Sequence, residues 1–309
     1  MPVGGAAVDP VTSTTTADPR RRALVLLVVL TLVWGTNWPL FPLVMREISV
    51  WTFRSISLTC AGLLLLAVAR ARGQSLAVPR RHWPVLGAAS LLYLVVWNVA
   101  AAYSAVLIPS GQSAVLGFTM PLWAALVSWG VLGERLSARQ WLAVALAALG
   151  VALLVHAGLG GGRPAALGLG LGLAGAIGWA IGTLVLKRGR VEVPATVSTG
   201  WQMLIASLPI TAAAIVLGDG AWFWPSTTTL VVLAYITVVP MGVGNVAWFS
   251  IVGLLPANVA GLSSIMVPVV AMLSGAVVHG EPLGPAQLAA MACCAAALWL
   301  ALGAPASRA

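Results

Sequence analysis

Ten runs of about twenty residues each, nearly free of charge and set off by Pro, Gly or basic residues, divide this chain of 309 residues. They lie near 23–44, 50–69, 83–103, 107–132, 138–157, 165–186, 197–217, 228–249, 256–279 and 283–303. A hydrocarbon core about 30 Å thick takes about 20 helical residues to cross, so the sequence predicts an all-α integral membrane protein with ten transmembrane helices. Charged residues make up only 7% of the chain, too few to coat a soluble globule, and 60% apolar content excludes disorder. The connections are mostly shorter than 15 residues and leave no room for an inserted soluble domain. Cys60, Cys293 and Cys294 form neither a disulfide framework nor a metal-ligand spacing.

The formal charge of +9 is explained by where the bases fall. With the N-terminus in the cytoplasm, thirteen of the sixteen lie in cytoplasmic segments: Arg20, Arg21, Arg22, Arg70, Arg72, Arg80, Arg81, Arg135, Arg139, Lys187, Arg188, Arg190 and Arg308. Only Arg46 and Arg163 fall outside, and Arg54 lies within the second span. Short cytoplasmic loops retain Lys and Arg, so both termini are expected in the cytoplasm of a bacterial-type inner membrane. The charge therefore encodes orientation, and no nucleic-acid partner is expected. Residues 1–22 read as a disordered cytoplasmic tail. No small-residue cleavage site follows the first apolar run, which is expected to stay as a helix.

A shift of 147 residues aligns 98–140 with 245–287 without a gap and leaves 13 identities, among them Asn98/Asn245, Pro109/Pro256, Pro121/Pro268, Gly133/Gly280, Glu134/Glu281 and Gln140/Gln287. The chain thus reads as two five-helix repeats, 23–157 and 165–303. An odd number of spans per half makes the halves insert in opposite senses. Such inverted repeats place a site near the midplane with mirror-related openings, the geometry of alternating-access carriers.

These residues resemble a known family. Trp34-Gly35-Thr36-Asn37 in the first helix, a Pro in the fourth of each repeat, and Gly-Glu-x-Leu before a Gln that opens the fifth are similar to EamA-type members of the drug/metabolite transporter superfamily. The resemblance covers roughly 23–303. It implies the ten-helix fold and transport of amino acids, other metabolites or drugs, with bacterial metabolite and amino-acid exporters as the nearest branch.

Asn98 and Asn245 are polar, duplicated and flanked by Trp97 and Trp248, which marks them either as polar contacts in the pathway or as interhelical hydrogen bonds. Thr31, Trp34 and Trp38 share a face of the first helix with Asn37 at its flank; Tyr93, Trp97, Trp179, Met241 and Trp248 extend an aromatic stripe that either lines a cavity or packs. Trp34, Asn37, Trp38, Tyr93, Trp97, Asn98, Trp179, Met241, Asn245 and Trp248 are the expected substrate contacts. Pro121 and Pro268 are expected inside the fourth and ninth helices, as gates or as static kinks. Arg54, four residues from the outer end of the second helix, is expected to snorkel, with binding of a substrate carboxylate as the alternative.

Gly133-Glu134 and Gly280-Glu281 are expected to end helices, with the Glu holding a tight turn, and Ser137-x-x-Gln140 reads as a capping box. Gly170-x-Gly172-x-x-Gly175 mimics a dinucleotide fingerprint but lies in an apolar helix with no strand before it, so it reads as a close packing face. No Asp or Glu falls in the middle of a span, which argues against a carboxylate-driven proton antiporter. No hydrolytic or metal-ligand set appears at mid-span either. The expected function is transport, not catalysis: a small amphipathic solute, an amino acid foremost, moved outward by facilitated diffusion or exchange, without catalytic residue, metal or cofactor. A multidrug or lipophilic-cation exporter is the alternative. A membrane scaffold or enzyme is the rival class. The lipid bilayer is the expected surrounding; oligomeric state is open, a monomer being one reading.

Overall fold

The computed structural model describes residues 19–158, 162–220, 223–248 and 262–302; most of the expected N-terminal tail, and Pro256, lie outside the described residues. The described chain is all-helical. Seven stretches are long and apolar enough to cross a membrane: Val50–Ala71, Arg80–Leu107, Ser110–Val131, Ala138–Ala157, Gly162–Gly189, Ala195–Leu217 and Thr227–Trp248. Val25–Asn37, Met266–His279 and Pro285–Leu300 are shorter apolar helices.

Two of the expected helices are broken. The first becomes α1 (Pro19–Asn37) and α2 (Leu40–Val44), because Pro39 supplies no N–H and the chain turns at Trp38. After α3 (Val50–Ala71), the third is α4 (Trp83–Ala89), a π-helical turn over Ser90–Val95, and α5 (Val96–Leu107). The fourth splits at Phe118 and Thr119 into α6 (Ser110–Gly117) and α7 (Met120–Leu132). Pro121 is therefore not inside a helix as expected. It occupies the first turn of α7, where a missing N–H costs nothing.

Beyond these lie α8 (Ala138–Gly158), α9 (Gly162–Gly189), α10 (Ala195–Leu217) and α11 (Thr227–Ile236), the last leading into a second π turn over Thr237–Val243. The final helices are α12 (Leu262–His279), with Pro268 inside it, and α13 (Pro285–Leu302). The capping box before α8 forms as read: Ser137 N–H donates to Gln140 Oε1 at 2.8 Å and Gln140 N–H to Ser137 Oγ at 3.3 Å.

Helices equated by the 147-residue shift pack on each other or in matching pairs. α3 lies along its equivalent α10, and α8 along α13; α1 packs on α12, as its equivalent α9 packs on α6 and α7. α3 and α10 run antiparallel. Ser49, just before α3, donates its N–H to Asp219, just past α10, while Trp201 near the start of α10 donates Nε1–H to the Leu76 carbonyl beyond α3.

The glycines of α9 form the close face read from the sequence. A Cβ on Gly178 would come within 2.7 Å of the Leu92 carbonyl oxygen, and one on Gly182 within 2.5 Å of Tyr93 Cβ, whereas Gly170 faces open space. Gly178→Ala is expected to cost about 1–3 kcal/mol through this overpacking and to lower the thermal midpoint in detergent, while Gly170→Ala leaves it unchanged.

Candidate functional site

The two π turns occupy equivalent places in the two halves, since Ser90 shifted by 147 residues is Thr237. A π turn displaces the usual i→i−4 bonding and leaves backbone carbonyls in need of donors. Both halves place the same side-chain donors around the turn, although the Leu86 and Leu233 carbonyls at its entry also accept the backbone N–H of Ser90 and Thr237. At the entry, Ser90 Oγ donates to the Leu86 carbonyl at 2.6 Å and Thr237 Oγ1 to that of Leu233 at 2.7 Å. At the exit, Asn98 Nδ2 donates to the Leu94 carbonyl at 2.8 Å and Asn245 Nδ2 to that of Met241 at 2.6 Å. The duplicated asparagines thus bond within their own helices, which differs from the interhelical bond that was the alternative to a pathway contact. In the second turn the Pro240 carbonyl takes a further donor, Trp34 Nε1–H at 3.0 Å.

The predicted aromatic residues gather beside these turns. Tyr93, inside the first, stacks edge-on to Trp179 at 4.9 Å between ring centroids; Trp179 meets Trp97 at 5.2 Å, and Trp97 meets Trp38 at 5.9 Å. Trp34 and Trp248 form a second contact at 5.9 Å. Met241, inside the second turn, packs against the cluster that includes Trp38 and Phe118 and against the one that includes Tyr93 and Leu94, so it bridges the two groups. Asn37 ends α1 with its Oδ1 buried and without a hydrogen-bond partner. Pro268 is buried in α12, one residue from Val267 in the first of these clusters. The breaks after α1 and α6 meet here as well: Trp38 and Phe118 rings are 6.4 Å apart.

Several contributors were not foreseen. Arg54 does not snorkel; it is 3% exposed, with its guanidinium carbon 4.3 Å from the ring centroids of both Phe41 and Phe53 and its Nε–H donated to the Asn98 carbonyl at 3.0 Å. Glu281 does not hold its own turn as expected. Glu281 reaches the start of α6 and accepts from the N–H groups of Ser110 at 2.7 Å and Gly111 at 3.1 Å. Glu47 accepts from the Ser226 N–H at 2.7 Å and hydroxyl at 2.6 Å at the start of α11, and Asp219 accepts from Ser49 before α3 at 2.7 Å.

Carboxylates at helix N-termini satisfy orphan N–H groups and oppose the helix dipole, and each of these joins one half of the chain to the other. His279 adds a fourth link, its Nε2 lying 2.6 Å from the Pro39 carbonyl oxygen that accepts from it. Together they clamp one end of the bundle. Beneath the clamp Val44, Ile48, Phe53, Ile236, Val267 and Ala271 close in a buried cluster. Among the described residues no His, Cys, Asp and Glu cluster suits a metal ion.

Two outcomes follow. Asn98→Ala and Asn245→Ala each remove a side-chain hydrogen bond to a carbonyl of the π turn, an expected cost of about 0.5–1.5 kcal/mol, visible as a lower thermal midpoint; unchanged midpoints would mean the amides do not hold the π turns. The Ser226 hydroxyl and N–H keep the Glu47 carboxyl below its usual range. A depressed pKa stabilises above the unfolded value of about 4.3 and the gain is lost as pH falls through the folded one. The thermal midpoint of the native protein should exceed that of Glu47→Gln at neutral pH, and the gap should close in acid below about pH 4.

Comparison with known proteins bears on this arrangement. The model of the EamA-like transporter family matches residues 21–156 and again 166–303. The transporter YvbV of Bacillus subtilis is 26% identical over 276 residues, covering 88% of this chain and 89% of that protein. The inner membrane transporter YedA of Escherichia coli is 27% identical over 281 residues, 90% of this chain and 86% of that protein. A Salmonella typhimurium protein named "Probable amino-acid metabolite efflux pump" is 33% identical over 191 residues, 59% of this chain and 62% of that protein. A solved crystal structure has the same fold, with a TM-score of 0.64 at 22% identity over 91% of this chain and 96% of the other.

Proposed function

Because this chain belongs to the EamA-like transporter family, we propose that it moves a small amphipathic metabolite, an amino acid, outward across a bacterial inner membrane by alternating access. Its ten apolar helical segments then form two inverted five-helix repeats, and transport proceeds by facilitated diffusion or exchange. The antiparallel run of the equivalent helices α3 and α10 supports the inversion. The thirteen bases on one side support cytoplasmic termini and put the clamp on the outer face.

One observation carries the reading: an aromatic row beside two equivalent π turns, one from each half, with a clamp of carboxylates on helix starts at one end. In this conformation the outer route is shut. An opposite state requires release of Glu47, Asp219, Glu281 and His279, with Pro268 a candidate point of bending in α12. Aromatic faces with few polar groups suit an amphipathic solute and offer nothing to a polyanion. The name of the Salmonella relative favours an amino acid.

Counterflow into proteoliposomes, with amino acids and lipophilic cations screened in parallel, tests the assignment. Saturable exchange of amino acids is expected; exchange of cations alone would replace the substrate class, and no exchange of any solute would remove the transport reading. Trp97→Ala is expected to weaken apparent affinity at least about tenfold, the size of an aromatic hot spot, with folded protein retained.

A further inference from the structure

We infer that Arg54 is the counter-charge for an anionic carboxylate on the transported solute. The inference rests on the transport reading above but not on the choice of an amino acid.

Arg54 has five N–H donors in a rigid fork. Only Nε–H is used, on the Asn98 carbonyl, and the four terminal N–H groups bond to no described residue. Among the described residues the one ion pair joins Arg81 to Glu192, at the other end of the bundle, and none of their carboxylates answers this cation. Phe41 and Phe53 hold the guanidinium by cation–π contact, which fixes its plane and lowers the cost of burial without supplying an anion. A charge kept inside a membrane bundle without a partner marks a substrate or ion path, and the planar fork matches a carboxylate in bidentate fashion.

Its place in the fold agrees. Phe41 touches Trp38 at 5.7 Å and Trp38 touches Trp97 at 5.9 Å, so Arg54 ends the aromatic row on the clamped side. The same carbonyl that orients Arg54 belongs to Asn98, whose amide donates to the Leu94 carbonyl of the first π turn. Asn37, next to Trp38, has a buried and unpartnered Oδ1, an acceptor suited to an ammonium group on the same solute. The mid-span aromatics would then bind the apolar body, with Arg54 fixing one polar end.

The test is counterflow of radiolabelled L-phenylalanine and, separately, of 3-phenylpropionate, with L-phenylalaninamide and phenethylamine as competitors. In the native protein the two carboxylates are expected to compete at least about tenfold better than the amide and the amine, the scale of losing a charged hydrogen-bonded partner. Arg54→Gln should abolish that preference, and Arg54→Lys should restore part of it. Equal competition by amide and acid in the native protein overturns the inference without any variant, as does an Arg54→Gln protein that keeps the tenfold preference. Exchange of 3-phenylpropionate but not of L-phenylalanine, with the same Arg54 dependence, upholds the carboxylate site while refuting the amino-acid assignment.

Discussion

In hydrocarbon every backbone N–H and C=O must find its partner within the protein, and the centre of this molecule is arranged around that demand. Helix three and its equivalent in the second half each open into a π turn where the regular ladder fails. A hydroxyl at the start and an asparagine amide at the end add side-chain donors around it in both halves. Tyr93 and Met241 sit inside the turns, and Trp97 just past the first. The positions of the aromatic groups therefore follow two local changes of helical pitch. Irregular backbone at membrane depth is tolerated where protein or a cavity surrounds it, which is where a solute pathway belongs.

The same accounting explains the acids. Helix starts expose N–H groups without intrahelical partners, and three of them gather at one end of the bundle. Each is answered by a carboxylate from the opposite half: Ser49 by Asp219, Ser110 and Gly111 by Glu281, Ser226 by Glu47. These bonds stabilise helix termini and join the halves at once, so breaking them both frees the ends and separates the repeats. Glu134, the repeat equivalent of Glu281, lies at the other end, and the shift equates Glu47 with Pro194 and Asp219 with Arg72. The duplication is therefore not symmetric in its closures: three carboxylates at helix starts hold one end, while among the described residues the Arg81–Glu192 ion pair and the Trp201 bond to the Leu76 carbonyl join the halves at the other.

Much of this was legible in the residues. Hydropathy marks the membrane-crossing runs, the 147-residue shift exposes the duplication, and the glycines of α9 announce a close helix face because only small side chains admit a neighbouring backbone. The breaks at Trp38 and Phe118 are hidden by hydropathy, since the chain is apolar on both sides of each. Asn98 and Asn245 stand out by repetition, yet their bonds to Leu94 and Met241 depend on a π turn that no residue type announces; Ser90/Thr237 is a conservative pair easily lost among polar exchanges. Glu281 and Ser110 are far apart in sequence, so the carboxylate looks like part of its own turn. Arg54 near a helix end suggests an escape to the interface, and only packing shows Phe41 and Phe53 holding it inside.

The central claim is that the clamped end must open for a solute to cross. Cysteines placed at Ser49→Cys and Asp219→Cys, in a background lacking Cys60, Cys293 and Cys294, join α3 to the connection after α10 where Ser49 N–H and Asp219 Oδ1 lie 2.7 Å apart. The measurement is counterflow before oxidation, after it, and after reduction. Exchange is expected to stop when the disulfide forms and to return when it is reduced; exchange at the same rate with the disulfide intact would mean that the clamped end need not open.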